Sequence, residues 1–188
     1  MKSKIKVFIF IDSYGYELVK KGLVLHEELK YHKPVKMQFG YSSTAIPSIL
    51  TGESPQKHGQ FTFFFRDPEG QSMFKIFDNF LFKLIPSFIA NRRRFRNLLS
   101  KIFKKYFNIT GYFDLYSIPF GQLKFFDYSE KKDLFKTNAF ESCKNLADVL
   151  VENNIDHFIT DWRKSEVENF NELFGQISSG KKDFIFGY

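Results

Sequence analysis

Residues 155–188 constrain the fold most. Ile155 to Ile159 is a short strand-like run, Glu166 to Ile177 has helical spacing, and Asp183 to Tyr188 is again apolar and aromatic. A helix between two strands carries the chain back across a sheet, so the two strands come to lie parallel. Lys4 to Ile11 has the same strand character and is ended by Asp12. It is apolar almost throughout, which predicts a strand buried on both faces of a parallel sheet. The predicted fold class is α/β, a three-layer sandwich with a mostly parallel sheet.

Between these ends the pattern predicts a helix over 16–30 and a short strand over 35–39. A further helix is predicted over 42–50, opening on hydroxyl residues and closing at Gly52. Pro47 falls inside it, where proline is tolerated only near the first turn. From residue 60 to about 135, aromatic and basic residues are interleaved and sheet-like periodicity fades. This stretch reads as a lid or cap inserted into one catalytic domain spanning 1–188. Helical spacing returns over 135–151, with Phe135, Ala139, Leu146, Val149 and Leu150 as expected core. The chain stops on an apolar strand, which is the pattern of an incomplete sheet.

Composition excludes some classes. An apolar fraction of 43% is enough for a packed core and argues against a disordered chain. The 26 phenylalanines favour burial, and such an excess reflects genome composition rather than function. A net charge of +7 permits anionic partners without choosing among them. Cys143 is the only cysteine, which fits a reducing compartment. The apolar run Val7 to Ile11 is too short for a signal-peptide core. No stretch approaches the roughly 20 apolar residues of a spanning helix. The expectation is a cytoplasmic protein.

Three features could carry chemistry. Asp12 ends a parallel strand, the place where open α/β sheets bind ligands, and an aspartate there either holds a metal or caps the next turn. Ser42, Ser43 and Thr44 open a helix, whose free backbone N–H groups suit a phosphate. A hydroxyl there attacks if a metal lowers its pKa; otherwise it is a plain helix cap. The third feature is residues 91–106. Phe95, Leu98, Leu99, Ile102 and Tyr106 recur at helical spacing, with Arg92, Arg93, Arg96, Lys101, Lys104 and Lys105 on the other side. Such a helix can lie on an anionic membrane or contact phosphates. The favoured reading is a cap helix packed by its apolar stripe, its charges in solvent. Asp156-His157 falls in a probable strand and reads as structural.

The run Ser48 to Gly59, Ser-Ile-Leu-Thr-Gly-x-x-Pro-x-x-His-Gly, is similar to a signature of the alkaline phosphatase superfamily, and within it the branch of type I phosphodiesterases and nucleotide pyrophosphatases. In that superfamily the nucleophile lies ten residues before the glycine of Thr-Gly. Counting back from Gly52 gives Ser42. A metal-binding aspartate ends the family's first strand, and Asp12 occupies that place. The resemblance covers Lys4 to Gly59. It departs at Thr44, where the family usually has proline, which leaves Ser43 as runner-up nucleophile. It departs again at Phe63, where pyrophosphatases have a phosphate-binding asparagine. Pro55, His58 and Gly59 look like turn and packing residues of the motif.

The resemblance implies a hydrolase of phosphomonoesters or phosphodiesters. It implies two divalent cations, zinc first, with manganese or magnesium as alternatives. Asp12 and Ser42 would be metal ligands and Ser42 the attacking group. The other ligands, an Asp-x-x-x-His pair, an Asp-His pair and a last histidine, are expected beyond Tyr188, so these 188 residues alone are expected to be inactive. Two other readings stay open: a non-catalytic basic module on anionic membrane or nucleic acid, and a sulfatase-like hydrolase. Under the main reading the partner is a phosphate ester, no nucleic acid is expected, and 91–106 makes at most a weak anionic-membrane contact.

Overall fold

The computed structural model describes residues 4–22, 31–36, 38, 40–67, 69–116 and 118–188. In chain order the elements begin β1 (Lys6–Ile9), α1 (Tyr16–Lys20), α2 (Ser42–Thr51), α3 (Pro55–His58) and β2 (Phe64–Arg66). A 3-10 helix (Met73–Asp78), α4 (Phe80–Lys83), α5 (Ser87–Ala90), α6 (Arg93–Tyr106), α7 (Phe120–Leu123) and β3 (Phe126–Tyr128) follow. The last are α8 (Leu146–Glu152), β4 (His157–Ile159), α9 (Glu166–Ser179) and β5 (Phe184–Gly187). The chain is mixed α/β and divides into two compact units. One joins residues 1–39 to 149–188, and the other is the continuous segment 40–148.

In the first unit β5 lies at the centre of a three-stranded parallel sheet, between β1 and β4. Val7 and Phe158 both stand opposite Ile185. The β-branched and aromatic residues of β5 suit a pleated, covered strand, and Ile185 and Phe186 are buried. Helix α9 is delimited by sequence-local devices. Ser165 and Glu168 form a reciprocal capping box at its start, and Gly180 closes it with φ of 62°. Leu173 of α9 packs onto Gly187, where a Cβ would stand 3.2 Å from its Cδ2.

The first strand departs from its expected burial. Val7, Phe8 and Ile9 are 42%, 45% and 53% exposed, because β1 is an edge strand paired only to β5 among the described residues. Helix α1 is shorter than the predicted 16–30, of which residues 23–30 lie outside those described. Of the predicted strand over 35–39, Val35, Lys36 and Gln38 are described and carry no strand; Met37 and Phe39 lie outside the described residues.

The second unit is built on aromatic packing. Phe74, Phe77, Phe103, Phe113, Phe120 and Tyr128 form its core with Leu115 and Leu123. Phe77 stacks on Phe103 and Phe120 at 5.0 and 4.9 Å and meets Phe82 edge-on at 4.8 Å. Strands β2 and β3 pair antiparallel over this core. Helix α2 matches its predicted range, yet Pro47 sits beyond the first turn and removes one ladder bond. The carbonyl deprived is that of Ser43, four residues back; Pro47's own carbonyl accepts from Thr51 Oγ1 at 2.7 Å. The helix predicted over 135–151 begins only at Leu146. Asn145 is the reason: its side chain bonds the carbonyls of Leu134 and Lys136 and accepts from Asp148 N–H. Val149, expected in the core, is 44% exposed.

Helix α6 turns inward a face shifted from the one predicted: Phe95 and Leu99 of the expected stripe pack against the core, and the rest of the stripe does not. Arg96, Ser100 and Phe103 are buried, while Leu98, Ile102 and Tyr106 are 56%, 52% and 76% exposed. Arg96, expected in solvent, donates from Nε to the Ala90 carbonyl and lies 4.1 Å from the Phe120 ring centre. Burial lowers its pKa, partly countered by Asp114. Arg96→Ala is expected to cost about 2–3 kcal/mol, from a charge-assisted bond and a cation–π contact. Arg96→Met, which refills the space without burying a charge, should cost less. Denaturant midpoints compare the two.

Candidate functional site

Parallel strands end at one edge, so the chain segments that follow them gather there. In the sheet unit that edge opens a cleft of about 390 Å³. Ile11 and Asp12 follow β1, Thr160 and Trp162 follow β4, and Tyr188 follows β5; α9 adds Asn169, Phe170 and Leu173. Thr160 clasps two of the strand ends. Its N–H donates to the Phe186 carbonyl at 3.0 Å, and its Oγ1 accepts from Tyr188 N–H at 2.8 Å.

Asp12 stands exposed at this cleft, as its place after β1 predicts. Its Oδ1 accepts from Ser13 N–H at 2.9 Å, and Ser13 has φ of 61°. The carboxylate therefore also holds the turn that leaves the strand. Glu166 lines the same cleft. Deeper in, Asn169 donates from Nδ2 to the Asp161 carbonyl at 2.9 Å, while its buried Oδ1 has no partner among the described residues. Sequence reading passed over Asn169, Trp162 and Phe170. The signal for Asn169 was a polar residue in register with Leu173 and Ile177 on the helix's inner stripe.

The three hydroxyls belong to the second unit, at the start of α2. Tyr41 precedes the helix in an extended conformation and offers it no side-chain cap. The start of a helix is the positive end of its dipole, which favours an anion. Thr44 is committed elsewhere: it is buried and donates to the Phe61 carbonyl at 2.5 Å. Gly40 allows that approach. Its φ is 115°, and a Cβ there would stand 2.6 Å from Thr44 Oγ1. Ser42 and Ser43 remain half-buried at the helix start.

Ser48 and His58 resemble a nucleophile and its base, since Oγ and Nε2 are 3.0 Å apart. The tautomer argues otherwise. Gln60 N–H donates to His58 Nδ1 at 3.1 Å, so Nδ1 is an acceptor and Nε2 carries the proton. A ring already protonated at Nε2 cannot take the proton of Ser48, whose own hydroxyl donates to the Thr44 carbonyl. His58 is a buried packing residue, resting against Phe140.

Burial holds the His58 pKa below its ordinary 6.5. The native ring stays neutral where the unfolded chain binds a proton, so stability is full above about pH 6.5 and falls as pH drops below it. Glu130 works in the opposite sense. Burial pushes its carboxyl up to about 7 from an ordinary 4.5, so the native state keeps a proton that the unfolded chain has lost, and this stability is lost as pH rises from about 4.5 to 7. The two therefore oppose each other between about pH 5 and 7, and melting temperatures of single variants separate them. Glu130→Gln should leave a melting temperature that falls as pH drops below about 6.5, and His58→Asn one that falls as pH rises from about 5 to 7.

Asp156 and His157 have structural partners. Asp156 pairs with Lys182, and its carbonyl accepts from Asp183 and Phe184 N–H. His157 Nδ1 is 2.8 Å from the Ile155 carbonyl. Among the described residues no group of three or more His, Cys, Asp or Glu is placed to hold a metal. Catalytic zinc takes three protein ligands and structural zinc four, so these donors do not fit a two-metal centre. Asp12 belongs to one compact unit and Ser42 to the other. No family model, no curated protein and no solved structure matches the chain.

Proposed function

We propose that the chain belongs to a hydrolase of phosphomonoesters or phosphodiesters in which Ser42 is the attacking group. The observation that carries this reading is Asp12 lining a cleft at the carboxyl ends of parallel strands. That is the position the resemblance assigns to an anionic landmark of the centre. The start of α2 adds support, because the positive end of the helix dipole favours a phosphoryl group beside Ser42. Ser42 Oγ would form the bond to phosphorus as the ester oxygen leaves, and water would later release the phosphoserine.

The wider reading is a three-layer sandwich with a lid over 60–135, in a reducing compartment such as the cytoplasm. Among the described residues the donors fall short of a metal centre. For that reason the 188 residues by themselves should show no turnover above a Ser42→Ala control.

The test is acid quenching of the native gene product during turnover of a phosphorus-labelled ester. The expected label lies on the α2 peptide, is lost in Ser42→Ala and is kept in Ser43→Ala. Label that follows Ser43 moves the nucleophile. Turnover with no label on α2 ends the reading.

A further inference from the structure

The positive charge of this chain is concentrated in one segment. Residues 79–106 contain eight Lys and Arg and no Asp or Glu, leaving 20 basic against 21 acidic residues elsewhere. The net +7 is thus the property of α4, α5 and α6, and the remainder is close to neutral. Among the described residues, Arg92, Arg93 and Arg94 form no ion pair.

The same segment displays large apolar side chains. Phe80, Leu81, Leu84 and Phe88 are 67%, 68%, 60% and 65% exposed. Phe74 and Phe77, a few residues earlier in the chain, are by contrast fully buried. Helix α6 continues the pattern, with Leu98, Ile102 and Tyr106 exposed at a spacing of four. Four such residues within nine positions are unusual for a surface that meets only water. The elbow between the apolar and the basic part is fixed: Arg96 reaches back from α6 to the Ala90 carbonyl and to Asn91 Oδ1.

We infer that residues 80–106 dock this protein on the surface of an anionic lipid bilayer, with Phe80, Leu81, Leu84 and Phe88 entering the acyl boundary and Arg92–Arg94 at the headgroups. The apolar residues decide between anionic partners. A nucleic acid would use the arginines but has no use for exposed leucines, whereas a bilayer uses both. Among the described residues no helix is long and apolar enough to cross a membrane, so the contact lies in the interface. Residues 80–106 include neither Asp12 nor Ser42, and the inference does not rest on the hydrolase reading.

The experiment is co-sedimentation with vesicles of phosphatidylcholine, with and without 30 mole per cent phosphatidylserine, in parallel with binding to polyuridylate. The expected result is binding to the anionic vesicles alone. It should weaken at least tenfold in Leu81→Asp/Phe88→Asp, and about fivefold for each of Arg92, Arg93 and Arg94 changed to Gln, at about 1 kcal/mol each. These side chains are exposed, so melting temperatures should hold and separate lost docking from lost folding. Absence of vesicle binding overturns the inference. Vesicle binding that ignores the Asp substitutions, or polyuridylate binding of equal strength, overturns it in favour of a general polyanion site.

Discussion

Gly111→Ala is expected to cost about 3 kcal/mol or more and to leave the 40–148 unit largely unfolded at moderate temperature. A Cβ at this position would stand 2.4 Å from the Glu130 carbonyl oxygen and 2.5 Å from that of Lys132. Both are backbone atoms, so no rotamer relieves the clash. The two segments are also stitched together. Thr110 and Gly111 N–H donate to the Lys131 carbonyl, and Asp133 N–H donates to Thr110 Oγ1. Moving them apart breaks those bonds and uncovers Ile109 and Phe113. Gly121→Ala is the control. It lies in α7, where a Cβ would meet nothing within 4 Å, and alanine favours helix by up to about 1 kcal/mol. Near-ultraviolet circular dichroism melts of the pair should diverge widely. Equal midpoints would mean that the 110–111 and 130–132 segments are not packed as described.

Phe77→Ala should cost about 3–5 kcal/mol. Phe77 is 1% exposed and touches Phe74, Phe82, Phe103 and Phe120, which come from four separate parts of the unit. Those rings are held by one another, so they cannot easily close over the lost volume. Leu81→Ala, four residues away and 68% exposed, should change the denaturant midpoint by less than about 0.5 kcal/mol. A similar loss from both variants would show that the aromatic cluster is not the core.

What could be read from the sequence was what short-range physics decides. Residues 155–188 form strand, helix and strand close to prediction, because β-branched runs, a Ser165–Glu168 cap and a closing Gly180 are all local signals. Helix α2 was legible for the same reason, from its hydroxyl start to Gly52. Residues 60–135 were not. Their core is rings from four-residue helices and loops meeting across long sequence separations, and such contacts leave no period in the sequence. Arg96 was assigned to solvent on charge alone. Its burial depends on a carbonyl six residues back and a ring 24 residues ahead, which no helical wheel shows. In the candidate site, Asp12 could be placed from its strand, whereas Asn169 and Trp162 reach the cleft only through the packing of α9 and the turn after β4.

The order of strands in the parallel sheet also governs when it can form. The central strand, β5, is the last of the three to leave the ribosome, and β1 and β4 touch each other only through it. Among the described residues, Val7 to Ile9 have no ladder to join until Phe184–Gly187 has been translated. The 40–148 segment is continuous and can collapse during that wait. Pairing β1 with β5 then closes a loop of more than 170 residues, an entropically slow step. A nascent chain therefore carries an unsatisfied apolar strand until β5 has emerged. That is a substrate for holdase chaperones, and a reason for this protein to aggregate when synthesis outruns them.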